Sequence, residues 1–112
     1  MALVNASEVI TEIINTVYSD LYIEVINVPL AITPVQGGAV TVGEGTQIAI
    51  RASRDNGRKE IYVAKSSADA LDPTKRIVLK GGESISMTLD NLNLLWFGAE
   101  VDDLNVEVFF EV

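Results

Sequence analysis

Apolar and polar positions alternate in short runs along most of this chain, which is the period of a half-buried β-strand. Residues 46–52 place Ile48, Ile50 and Ala52 on one side, and residues 60–64 place Ile61 and Val63 inward. Residues 84–89 alternate cleanly, with Ile85, Met87 and Leu89 on one face and Ser84, Ser86 and Thr88 on the other. The final run sets Leu104, Val106, Val108, Phe110 and Val112 against Asn105, Glu107 and Glu111, and Phe109 breaks the polar side. Residues 21–26 and 76–79 are rich in β-formers, and residues 92–97 form a dense apolar run ended by Gly98.

Turn chemistry separates these runs. Pro29, Pro34 and Gly37-Gly38 interrupt the chain after the first strand. Asp55-Asn56-Gly57 reads as a hairpin turn joining strand 46–52 to strand 60–64, since Asn-Gly tolerates positive φ. A polar loop follows over 66–73, then Gly81-Gly82 and Asp90-Asn91 mark further turns. About seven short strands with regular turns predict an all-β fold, an antiparallel β-sandwich or small barrel. Residues 7–21 follow a different period. Val9, Ile10, Ile13, Ile14, Val17 and Leu21 recur at helical spacing behind a potential Ser7 N-cap, but most are β-branched, which weakens a helix. The expected organisation is a short N-terminal arm or helix over 1–20 and a single β domain over 21–112, with no internal repeat and no linker to a second domain.

Composition narrows the chemistry. The chain has 112 residues with no Cys and no His, and it carries a formal net charge of −8. It therefore has no disulfides, thiolate metal sites, thiol nucleophiles or imidazole acid–base groups. Its negative charge opposes non-specific binding to nucleic acid or to an anionic membrane. No stretch resembles a secretory signal or a membrane span, so folding in the cytoplasm is expected.

All eight basic residues fall between Arg51 and Lys80, alongside four acids. Residues 1–50 hold five acids and no base, and residues 81–112 hold seven acids and no base. Two readings follow. Either the blocks pair across neighbouring strands, or the basic segment (Arg51, Arg54 and Arg58 foremost) docks on an acidic neighbour, a copy of the chain included, in a contact that weakens with salt.

Candidate sites for small ligands are sparse. Glu100, Asp102 and Asp103 form one acidic cluster and Asp69 and Asp72 another, without the dense Asp/Asn/Gly spacing of a calcium loop. Gly43-Glu-Gly45 and Gly81-Gly82 lack the Lys-Ser/Thr of a phosphate loop. No cofactor or metal is expected. Trp96 is the single tryptophan. It reads as a core residue or as an aromatic platform, and Tyr62 and the 66–75 loop are further candidates for a platform. Trp96 and Phe109 lie in runs that are apolar on both sides, which points to burial between two layers or at a subunit interface. With Val9, Ile10, Ile13, Ile14 and Val17 they are the apolar interface candidates.

The stretch from Ile48 to Val112 resembles small β-sandwich structural proteins of tailed bacteriophage virions. The resemblance lies in the order of strand 48–52, the Asp55-Asn56-Gly57 turn, strand 61–65, a variable loop, strand 76–79, Gly81-Gly-Glu-Ser-Ile85, the aromatic run 94–98 and the final strand 106–112. It implies a non-enzymatic virion protein made in the host cytoplasm, most naturally a capsid decoration or cement protein. Its partners would be the major capsid protein or another virion protein, and copies of itself as a homo-oligomer with a trimer favoured. A receptor- or carbohydrate-binding module of a tail or head fibre is the alternative that the resemblance leaves open.

Overall fold

The strands form where the alternation places them, and the computed structural model describes residues 21–111. The expected arm over 1–20, with Val9, Ile10, Ile13, Ile14 and Val17, lies outside the described residues, as does Val112. Among the described residues there are eight strands: β1 (Leu21–Val28), β2 (Val35–Gln36), β3 (Gln47–Ala52), β4 (Glu60–Ala64), β5 (Ile77–Lys80), β6 (Ser84–Thr88), β7 (Trp96–Ala99) and β8 (Leu104–Glu111). One helical turn, α1 (Ser67–Ala70), lies between β4 and β5, inside what reads from sequence as a polar loop. Ser66 caps it, its hydroxyl accepting from the Asp69 N–H at 3.1 Å.

Two four-stranded antiparallel sheets result, in the order β1-β8-β3-β6 and β2-β7-β4-β5. The inward rows are those the alternation marks. Ile48, Ile50, Val106 and Val108 of the first sheet face Ile61 and Phe97 of the second, all with essentially no surface left to solvent. The antiparallel β-sandwich expected from the sequence is therefore the fold. Every connection except β4–β5 passes from one sheet to the other, and the first strand pairs with the last (Leu21 opposite Glu111, Val28 opposite Leu104). That strand order is an eight-stranded jelly roll.

Three local expectations are corrected. Residues 55–57 do not make a hairpin: β3 and β4 lie in different sheets, and the chain crosses between them through a 3-10 turn, Arg54–Asn56. Gly57 supplies the positive φ of 63° there, while the Asn56 side chain turns inward and is buried. Its Nδ2 donates to the Asn105 carbonyl at 2.8 Å and its Oδ1 accepts from the Asn105 N–H at 3.0 Å, so one amide side chain acts as a bridging strand segment for the start of β8. Second, residues 92–97 are not one strand. Leu92–Leu94 is a 3-10 turn, started by Asn91, whose Oδ1 accepts from the Asn93 N–H, and the strand begins at Trp96. Third, β2 is an eighth strand of two residues between Pro34 and Gly37, too short to show a period.

The tie between turn and strand has a measurable weight. Asn56→Ala removes the side-chain partner of the part-buried Asn105 N–H and one of two donors to its C=O, the Ser53 N–H remaining at 3.1 Å, so it is expected to cost about 1–3 kcal/mol of stability. Urea unfolding with an unchanged m-value checks it.

Candidate interaction surfaces

The outer side of the first sheet is built by the positions that alternate out of the core. One row across it runs Ile23, Phe109, Ala49, Ser86, and the next runs Val25, Glu107, Arg51, Ser84. At its centre Arg51 forks onto Glu107, with Nε to Oε1 and Nη2 to Oε2 both at 3.1 Å, and its guanidinium carbon lies 5.8 Å from the centre of the Phe109 ring. Phe109, the apolar exception on a polar face, is thus half covered by its neighbours. Ile23 and Val25 form a short apolar strip that is more than half exposed, and Leu30 and Ile32 are exposed in the β1–β2 loop. Fully covering a Val or Ile side chain is worth about 1.5–3 kcal/mol, so the strip leaves a substantial part of that unrealised in a single copy.

The outer side of the second sheet is partly roofed. Tyr62 points outward from β4 yet is buried, because α1 and Arg76 lie over it. The Arg76 guanidinium carbon sits 3.4 Å from the ring centre, and its Nη1 donates to the Ala70 carbonyl at 3.1 Å, fastening α1 to the sheet. Gly98 faces this cluster, where a Cβ would stand 3.4 Å from both the Ala70 carbonyl and the Tyr62 ring. Burial and the hydrogen bond to Glu60 both raise the Tyr62 pKa. Tyr62 is therefore not an open aromatic platform. Trp96 is half-buried on the same side, beside Ala64 and opposite Gln36, while Leu95 and Phe97 turn into the core.

The acidic clusters hold loops together. Asp102 Oδ1 accepts from the Ala31 N–H at 2.9 Å and Glu100 Oε2 from the Glu60 N–H at 3.0 Å. Asp103, at φ 61°, accepts from Asn27 Nδ2 at 2.9 Å. Asp72 accepts from both the N–H and the hydroxyl of Thr74, at 2.9 and 2.8 Å, and these two donors hold its carboxyl below its ordinary range. Among the described residues no group of three or more acids is placed to hold a metal ion.

Topology turns the charge blocks of the sequence into regions of the molecule. All eight cations lie on β3, β4, β5 or the loops between them, Arg54 and Arg58 within the β3–β4 crossing. Residues 21–46 and 89–111, which supply β1, β2, β7 and β8, carry no cation. The Arg51–Glu107 pair lies on the β3–β8 boundary between the two regions, the one ion pair among the described residues. Arg51, Trp96 and Phe109 thus lie on outer sheet faces, but Arg51 and Phe109 are on one sheet and Trp96 on the other. Sequence reasoning missed Ile23, Val25, Ile77 and Val78 as exposed apolar residues. Residues 21–26 are apolar on both sides, the same signal that singled out the Trp96 and Phe109 runs.

No family model matches the chain, and no curated protein matches it. A solved structure described as "Bacillus endospore appendages form a novel family of disulfide-linked pili" is similar to it with a TM-score of 0.42 and 16% identity, over 82% of this chain and 87% of its own. The fold assignment stands on the strand order, not on that likeness.

Two measurements test these surfaces. A double-mutant cycle on Arg51→Met and Glu107→Gln is expected to give a coupling of about 0.2–1 kcal/mol that shrinks as salt rises, since both side chains are partly open to water. Thr74→Val removes one of two donors to Asp72, so the Asp72 pKa should move back up towards its ordinary value in a carboxyl-detected NMR titration. Because the folded pKa is the lower one, the stabilisation from this contact is present at neutral pH and is lost as pH falls through the carboxylate range.

Proposed function

We propose that this protein is a non-enzymatic structural subunit that acts by protein–protein contact, of the kind that decorates and cements the head of a tailed bacteriophage. The observation that carries the reading is the exposed apolar strip on β1, with Ile23 and Val25 on the sheet face and Leu30 and Ile32 beyond it. An apolar strip on an edge strand invites pairing with another chain unless it is covered. The apolar segment with Val9, Ile10, Ile13, Ile14 and Val17 enters the fold at Leu21, the start of that same strand. In this reading residues 1–20 form an arm that reaches a neighbouring copy or the capsid surface. Many identical copies then add buried interface around each capsomer.

Jelly rolls serve in capsid domains, lectins and cupins alike, so the fold favours neither contact nor sugar binding by itself. A sugar-binding module needs open aromatic faces, and Tyr62 lies beneath Arg76.

Light scattering coupled to size exclusion, over a range of concentrations, tests the proposal. The expected result is an assembly of several 12.1 kDa chains, a trimer first of all. A version beginning at Leu21 should keep its β circular dichroism spectrum and lose assembly. A monomer at every concentration overturns the reading.

A further inference from the structure

The two sheets leave four edge strands, and these differ in kind. β2 is two residues long, and β6 turns Ser84, Ser86 and Thr88 outward, the short and polar edges that resist pairing with another chain. β1 and β5 instead carry large exposed apolar residues: Ile23 and Val25 at 52% and 61%, Ile77 and Val78 at 45% and 42%. Leu71, just after α1 in the β4–β5 connection, is exposed as well. The sheet orders, with β1 over β7 and β3 over β5 across the core, set β1 and β5 on opposite flanks of the sandwich. Among the described residues neither has a strand on its outer side.

The flanks also differ in charge. The β1 flank carries Glu24, Asp102 and Asp103 bond to it at Ala31 and Asn27, and residues 21–36 contain no cation. Residues 65–80, which lead into and form β5, contain Lys65, Lys75, Arg76 and Lys80 against Asp69 and Asp72. Two β1 flanks brought together set carboxylate against carboxylate, and two β5 flanks set cation against cation. A β1 flank against a β5 flank brings exposed apolar residues of both edges together and matches unlike charges.

We infer that the β1 flank of one copy docks on the β5 flank of a second copy of this chain. The inference rests on the structural-subunit reading above and specifies its geometry. Such a contact is heterologous, because each copy uses two different surfaces. Repeating it closes a ring, the smallest of which is a trimer, or continues as a filament. The cations that select the orientation all come from the single basic stretch of the sequence.

The test uses two full-length variants, Val25→Lys on the β1 flank and Val78→Glu on the β5 flank. Each puts a charge of the partner flank's own sign into the contact. Both positions are exposed, and circular dichroism with a thermal melt confirms folding. In light scattering each variant alone should need about tenfold or more higher concentration to assemble than the unmodified chain. An equimolar mixture should recover association, because Val25→Lys keeps an intact β5 flank and Val78→Glu an intact β1 flank. Loss confined to one variant, or a mixture that does not recover, overturns the heterologous contact. If the unmodified chain assembles and both variants assemble equally well, this contact falls and the structural reading stands. If the unmodified chain is monomeric throughout, both fall.

Discussion

Between the sheets, Ile48, Ile50, Val106, Val108 and Phe110 of one layer meet Ile61, Val63, Leu79 and Phe97 of the other, and almost none of their surface reaches water. The rest of the molecule is arranged to keep that layer closed. Six of the seven connections cross from one sheet to the other, so each must span an end of the sandwich without leaving backbone groups stranded. The crossings are anchored by side chains that accept from backbone N–H groups: Asp102 from Ala31, Glu100 from Glu60, Glu83 from Lys80. Asn56 does the same in both directions for Asn105. Much of the acidic content of the loops is thus committed to holding the ends of the sandwich shut.

The same topology gives the charge pattern its form. A sequence with one basic block between two acidic ones folds so that its first and last strands lie side by side. The parts of the acidic blocks that supply β1, β2, β7 and β8 therefore adjoin in one region, and the basic block lies on β3, β5 and the loops between them. Arg51 and Glu107 meet at the boundary and cover part of Phe109 as they do so. Of the two readings of the charge blocks, pairing across neighbouring strands has one instance among the described residues, at β3–β8.

What was legible in the sequence was the inward face of each strand. Ile48, Ile50 and Ala52, Ile61 and Val63, and the even-numbered residues of β8 from Leu104 to Phe110 all sit where their alternation puts them. Pairing partners were not legible. A Gly at positive φ serves a hairpin and a crossing equally well, so Asp55-Asn56-Gly57 pointed to the wrong neighbour for β3. The difference lies in the Asn56 side chain, whose partner is 49 residues away. Burial on an outer face was equally hidden: Tyr62 is covered by α1 and Arg76, and Arg76 reaches it from beyond a loop. The exposed strip on β1 carried a visible signal, since Leu21 to Ile26 is apolar on both sides, yet a strand apolar on both sides reads first as one buried on both sides.

The pairing of β1 with β8 also bears on how the chain comes to be folded. A ribosome makes β1 before any other strand of the sandwich and β8 after all of them. Until residues 104–111 emerge, β1 has no place in its sheet, and β3 lacks the neighbour that separates it from β1. Among the described strands, only β4 and β5 pair with a neighbour in sequence. The first sheet therefore closes in one late step, and a nascent chain stalled before residue 104 holds an apolar β1 with nothing to pair it.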